Sequence, residues 1–246
     1  CDKGFVKMIL AKLYLNAEVY IGEDRYAECA AICEDLVATY SLAENFADLF
    51  AADNDRFAVG TEEIIFAVPH DGINTTSYGG TNFLIFAGTG GDMIPAGISS
   101  GWGGLSVTKQ VAERYAEGDV RAMFFTDYGT EIVDIFTFTS GGYKSVKFRN
   151  VKSNGEAGQT TGFVDTDWPL FRVADAHLML AECAARGKAD LAKGLASLNA
   201  VRERAGLEAV SSFTAQDVLD ERSRELLWEG CRRTDLIRFG QFTTDA

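Results

Sequence analysis

The residues best spaced for chemistry are Arg222, Glu225, Glu229 and Arg232, which recur at three and four positions in DERSRELLWEGCRRTDLIRFG. On a helix that spacing lines them along one face. Two carboxylates flanked by two guanidiniums neutralise one another, so the pattern points to a structural ion-pair network and not to an acid/base dyad. His70 and His177 are the only histidines, and no hydroxyl or thiol is placed beside either, so no nucleophile–base pair is legible. DND at 53–55 resembles the start of a calcium loop, but the following FAVG lacks the remaining acidic positions. GTGGD at 88–92 lacks the GK[ST] of a phosphate loop. Cys29 and Cys33, four apart without a nearby histidine, read as small core residues and not zinc ligands. The expectation is therefore a chain with no catalytic residues, no metal and no cofactor.

Aromatic residues among glycines give a better lead. Trp102 stands in SSGWGGL and Tyr78 in TTSYGGTN. Sugar rings carry apolar C–H faces that stack on such side chains, and flanking glycines let a ligand approach closely. Asn74, Asn82 and Asp92 are the candidate partners for sugar hydroxyls. The competing reading makes Trp102 and Tyr78 loop anchors that pack into the core.

Helices must carry the charged stripe, and an irregular stretch carries the aromatic candidates. GFVKMILAKLYLNAEVYIG has Val6, Ile9, Leu10, Leu13, Ala17 and Tyr20 at helical spacing, and EDRYAECAAICEDLVATY repeats the pattern after a short link. The two form an antiparallel hairpin. Residues 172–187 and 190–205 form a second, stopped by Gly187 and Gly206, and Thr214 with Asp217 opens a third stretch with a capping box. The fold expected is mainly α, an α-α superhelix with tetratricopeptide-like helix pairs, plus an irregular loop-rich region with a few short strands. Residues 1–246 are read as part of a single domain, with a helical hairpin at 1–60, an irregular ligand-face excursion at 61–170 and the helices of 171–246. Within the excursion, TEEIIFAV reads as a strand, residues 71–104 as irregular with ten glycines in thirty-four, and 105–125 as a helix. IVDIFTFTS and YKSVKFRNV read as short strands.

The composition sets the outer limits. The chain has 246 residues with a net charge of −13, which argues against nucleic-acid binding because phosphates require clustered cations. It holds no apolar run of about twenty residues.

FRVADAHLMLAE, LNAVRERAGL and DERSRELLWEGCRRTDLIRFG together resemble the C-terminal signature of the SusD/RagB family, surface glycan-binding lipoproteins of Bacteroidota. GFVKMILAKLYLNAEVY, EEIIFAV and GWGGLSVTKQVAERYAEGDVR are similar to the family's central region. Asp175 stands where glutamate is usual and Phe239 where tryptophan is common. The resemblance implies a protein on the outer-membrane surface that binds oligosaccharide, performs no chemistry and acts as a lid on a SusC-like TonB-dependent transporter. It also implies that Cys1 is internal and that the lipid anchor, the sole membrane contact, lies outside this segment. The alternative carried forward is a helical scaffold that binds peptide or protein and no sugar.

Overall fold

The computed structural model describes residues 2–91, 96–134, 136 and 141–243. The chain forms two compact units, one of Cys1–Glu44, Gly60–Phe66 and Leu170–Ala246, the other of Asn45–Val59 and Ala67–Pro169.

The first unit is helical. It contains α1 (Lys3–Leu15), α2 (Ala17–Ile21), α3 (Tyr26–Thr39), α6 (Val173–Ala185), α7 (Leu191–Arg204), α8 (Ala215–Glu225) and α9 (Arg232–Arg238). α1–α3 and α6–α7 are the tetratricopeptide-like pairs, and α3 packs on α6. Small residues set the spacing: a Cβ on Gly194 of α7 would lie 2.3 Å from Ala184 Cβ of α6. Gly187 and Gly206 end α6 and α7 at φ 73° and 81°, where only glycine is unstrained. Thr214 and Asp217 close the capping box of α8.

Two expectations change here. The first helix breaks at Asn16, and its buried face is Gly4, Met8, Ala11 and Leu15. The apolar stripe of Val6, Ile9, Leu10, Leu13 and Tyr20 is exposed instead. Both faces are apolar, so periodicity alone does not rank them; Gly4 and Ala11 do, because they admit neighbouring elements closely. The stretch after Thr214 is likewise two helices, not one. α8 ends at Glu225, and Trp228 turns the chain with φ 62°.

The second unit is mostly irregular, with α4 (Gly80–Gly88) followed by the antiparallel pair β2 (Gly90–Gly91) and β3 (Gly101–Trp102). α5 covers only Lys109–Ala112, so the helix expected over 105–125 is overturned. Asp119 there bonds the backbone N–H and the guanidinium of Arg121, both buried, closing a turn that competes with helix. β4 (Phe124–Phe125) then pairs with β5 (Lys144–Ser145). Most of the strand expected at 132–140 lies outside the described residues. The core is aromatic: Phe148 stacks on Trp168 at 5.5 Å and meets Phe50 edge-on at 4.9 Å. β1 (Ile64–Val68) and β6 (Trp168–Arg172) pair where the chain returns to the first unit.

Candidate functional site

The site begins at a buried asparagine. Asn150 donates from Nδ2 to the Thr160 carbonyl at 2.7 Å and the Gly97 carbonyl at 3.3 Å, and its Oδ1 accepts the Asp165 N–H at 3.0 Å. Residues 160–165 are thereby fixed, and they act as a rail for the loop that carries Tyr78. Asp167 accepts the His70 N–H at 2.7 Å and Asp165 accepts the Gly72 N–H at 2.9 Å. At the far end of the loop, the Thr81 hydroxyl donates to the Thr166 carbonyl at 2.6 Å and the Val164 N–H donates to Asn82 Oδ1 at 3.1 Å. Between these anchors Asp71 caps its own turn, accepting from the Ile73 and Asn74 N–H groups and from Asn74 Nδ2. The Asn74 side chain first, then those N–H groups, hold the Asp71 carboxyl below its usual range.

Tyr78 stands on this loop with 70% of its surface exposed, its ring 5.3 Å from that of Phe163. Trp102 reaches the same place from β3. Close backbone packing sets it there: a Cβ on Gly101 would lie 2.3 Å from the Thr89 carbonyl, to which the Gly103 N–H donates at 2.7 Å. Trp102 packs on Phe86 of α4 at 4.9 Å and remains 42% exposed. Its centroid lies 6.0 Å from that of Tyr78, with the ring planes 49° apart. The result is a pair of tilted, exposed aromatic rings backed by Phe163 and Phe86, suited to stacking against an apolar ring face.

The structure thus brings Tyr78 and Trp102 together. Asn74 sits on the same loop, with its Nδ2 committed to Asp71 at 2.8 Å. Asn82 is 1% exposed, which corrects its assignment as a hydroxyl partner: its carbonyl holds Val164, and burial removes it from ligand reach. Asp92 lies outside the described residues. Sequence reasoning places neither Phe163 nor Phe86 at this surface. Phe163 is remote in sequence from Tyr78 and carries no local signal, whereas Phe86 lies in a stretch read as irregular that forms α4.

The charged residues of the first unit form a separate, internal system. Arg222 and Glu225 lie on α8, Glu229 in the link and Arg232 at the start of α9, so the four do not share one helix face. Arg172 gathers the carboxylates instead. It binds Glu229 bidentately at 2.8 Å, Glu225 at 2.9 Å, and Glu63. Arg204 bridges Glu63 and Glu225. Arg222 binds Asp175 at 2.7 Å and Asp235 at 2.9 Å, while Arg232 donates to the Leu219 carbonyl at 3.1 Å. Burial alone pushes the Asp175 carboxyl up, but Lys12 and Arg222 outweigh it and hold the group well below the carboxylate range. These acids are acceptors held in a buried ion-pair network.

The remaining candidates are structural as well. Burial, then Arg204, pushes the His177 imidazole down to about 4, and its Nδ1 has no partner among the described residues. Asp53 of DND caps Ser153, accepting from its N–H at 2.8 Å and its hydroxyl at 2.7 Å. Among the described residues no cluster of three or more His, Cys, Asp or Glu is placed to hold a metal.

With that geometry in place, the similarities to known proteins are informative. The SusD family model matches residues 124–246. The starch-binding protein SusD of Bacteroides thetaiotaomicron is 31% identical over 296 aligned residues, covering 99% of this chain and 53% of that protein. Surface glycan-binding protein A from Bacteroides thetaiotaomicron, solved with laminarihexaose, superposes with a TM-score of 0.73 at 22% identity, over 98% of this chain and 55% of that one. A laminarin-binding SusD-like protein gives a TM-score of 0.72 at 21% identity, over 98% and 55%. The chain spans about half the length of these relatives.

Proposed function

The chain belongs to the SusD family, and from that premise we propose that it is part of a non-catalytic, cell-surface glycan-binding protein. It delivers oligosaccharide to a SusC-like TonB-dependent transporter in the outer membrane. The observation that carries the reading is the Tyr78–Trp102 pair, two exposed rings held at 6.0 Å and 49° by a bonded loop and a glycine strand. Rings so placed stack on the C–H faces of successive sugars. The names of the relatives, which bind starch, laminarin and laminarihexaose, support a glucan ligand. A net charge of −13 favours a neutral glycan over an anionic one. Residues 61–170 form the ligand face in this reading, and the helices of 171–246 identify the family. No described helix is long and apolar enough to cross a membrane, and the proposed attachment is a lipid outside this segment.

Calorimetric titration of the native protein with a panel of neutral and anionic polysaccharides tests the proposal. A neutral glucan binds, and Trp102→Ala weakens it about tenfold, equivalent to about 1.4 kcal/mol, while the melting temperature stays close to wild type. A protein that binds peptides and no glycan is the helical scaffold instead. Turnover of any glycan by the purified protein overturns the non-catalytic reading.

A further inference from the structure

Stacking rings hold a sugar but do not choose among its hydroxyls; Asn82 is buried, and Asn74, whose Nδ2 bonds Asp71 at 2.8 Å, leaves room for a second polar group. We propose that Gln159, oriented by Asp165, is the polar edge of the aromatic site and takes hydroxyls of the bound glycan. The inference rests on the glycan-binding reading above.

Gln159 is exposed, yet its side chain is not free to swing. Its backbone N–H donates to Asp165 Oδ2, and its Nε2 donates to Asp165 Oδ1 at 2.8 Å. A carboxylate only accepts, so it selects the NH₂ end of the amide and turns the carbonyl outward. Among the described residues Gln159 Oε1 accepts no hydrogen bond, and the second Nε2 hydrogen is also unspent. One acceptor and one donor in a fixed plane match the vicinal hydroxyls of a sugar.

Their position follows from the rail. The same Asp165 Oδ1 accepts the Gly72 N–H at 2.9 Å, tying Gln159 to the base of the Tyr78 loop. The Thr160 hydroxyl, next along the chain, accepts the Phe163 N–H at 3.2 Å, and the Phe163 ring lies against Tyr78 at 5.3 Å. Gly72 fits only without a side chain, since a Cβ there would lie 2.7 Å from the Phe163 carbonyl. Asp165, whose own N–H is held by buried Asn150 at 3.0 Å, is thus a positioning residue for both the amide and the ring.

The test compares glycan affinity and melting temperature for wild type, Trp102→Ala, Gln159→Ala, Asp165→Asn and Asp165→Ala, using the tightest glycan of the panel. Gln159→Ala weakens binding about fivefold, the scale of one or two hydrogen bonds, with an unchanged melting temperature. Asp165→Asn loses less than Gln159→Ala, because the amide oxygen still accepts from Gly72 and from Gln159 Nε2 while its NH₂ opposes the Gln159 backbone N–H. Asp165→Ala loses more affinity than either, since the Tyr78 loop is released as well. If Trp102→Ala weakens binding about tenfold while Gln159→Ala binds like wild type, the polar edge is wrong and the glycan reading stands. If Gln159→Ala loses affinity only in step with a lower melting temperature, the residue is structural and the proposal fails. If wild type binds no glycan, both readings fall.

Discussion

His177 shows how one half-buried side chain makes the fold sensitive to pH. Its imidazole titrates near 4 in the folded chain against an ordinary 6.5. Between those values the unfolded state takes up a proton that the folded state refuses, so stability is complete above about pH 6.5 and falls as pH drops toward 4. The full effect is up to about 3 kcal/mol. Urea unfolding at pH 7.5 and pH 5 should show this loss in wild type and a smaller one in His177→Gln. Equal losses in both proteins would assign the pH dependence elsewhere. At this scale the sequence singled out Tyr78 and Trp102 from their glycine neighbours, and the structure sets the two rings side by side, whereas Asn82 is buried. Residue type suggests a hydroxyl partner; burial under the Val164 backbone, a long-range fact, makes it a brace.

Between residue and molecule stand the elements, and in the first unit they are joined by ions. α8, the link to α9, the start of α6 and the segment at Glu63 meet at Arg172, which is 1% exposed among three carboxylates. Removing the guanidinium leaves buried acids uncompensated, so Arg172→Ala and Arg222→Ala should each destabilise by roughly 3–5 kcal/mol. Chemical denaturation checks this, and a loss below about 0.5 kcal/mol would be that of an exposed pair. Spacing at three and four residues showed that these charges belong together, yet it placed them on one helix. The break at Trp228 is not written in propensity, since tryptophan rarely takes positive φ. Glu229 reaches Arg172 and Arg222 reaches Asp235 only across that turn. In the second unit the error ran the other way: glycines read as irregularity form the N-terminus of α4 and the β2–β3 pair, because their missing side chains permit close backbone contact.

Taken whole, the chain leaves its helical unit twice and returns, assembling that unit from three segments and the loop-rich unit from two. Its net charge of −13 bears on the ligand at this scale. A neutral glycan bound by stacking has no charge to screen, so its affinity should stay within about twofold between 0.05 and 0.5 M salt, where surface electrostatics collapse. A steep salt dependence in calorimetry would mean that a charged ligand is the true one. The sequence by itself determined the family, the mainly helical class, the hairpins and their caps, because those depend on local periodicity, on glycine's access to positive φ and on a signature of regularly spaced charges. Only the tertiary structure decided which face of α1 is buried, where the last helical stretch breaks, and that Tyr78, Trp102 and Phe163 share one surface. Those outcomes depend on contacts between residues far apart in sequence, and on which of several apolar or polar groups the surrounding backbone leaves room to bury.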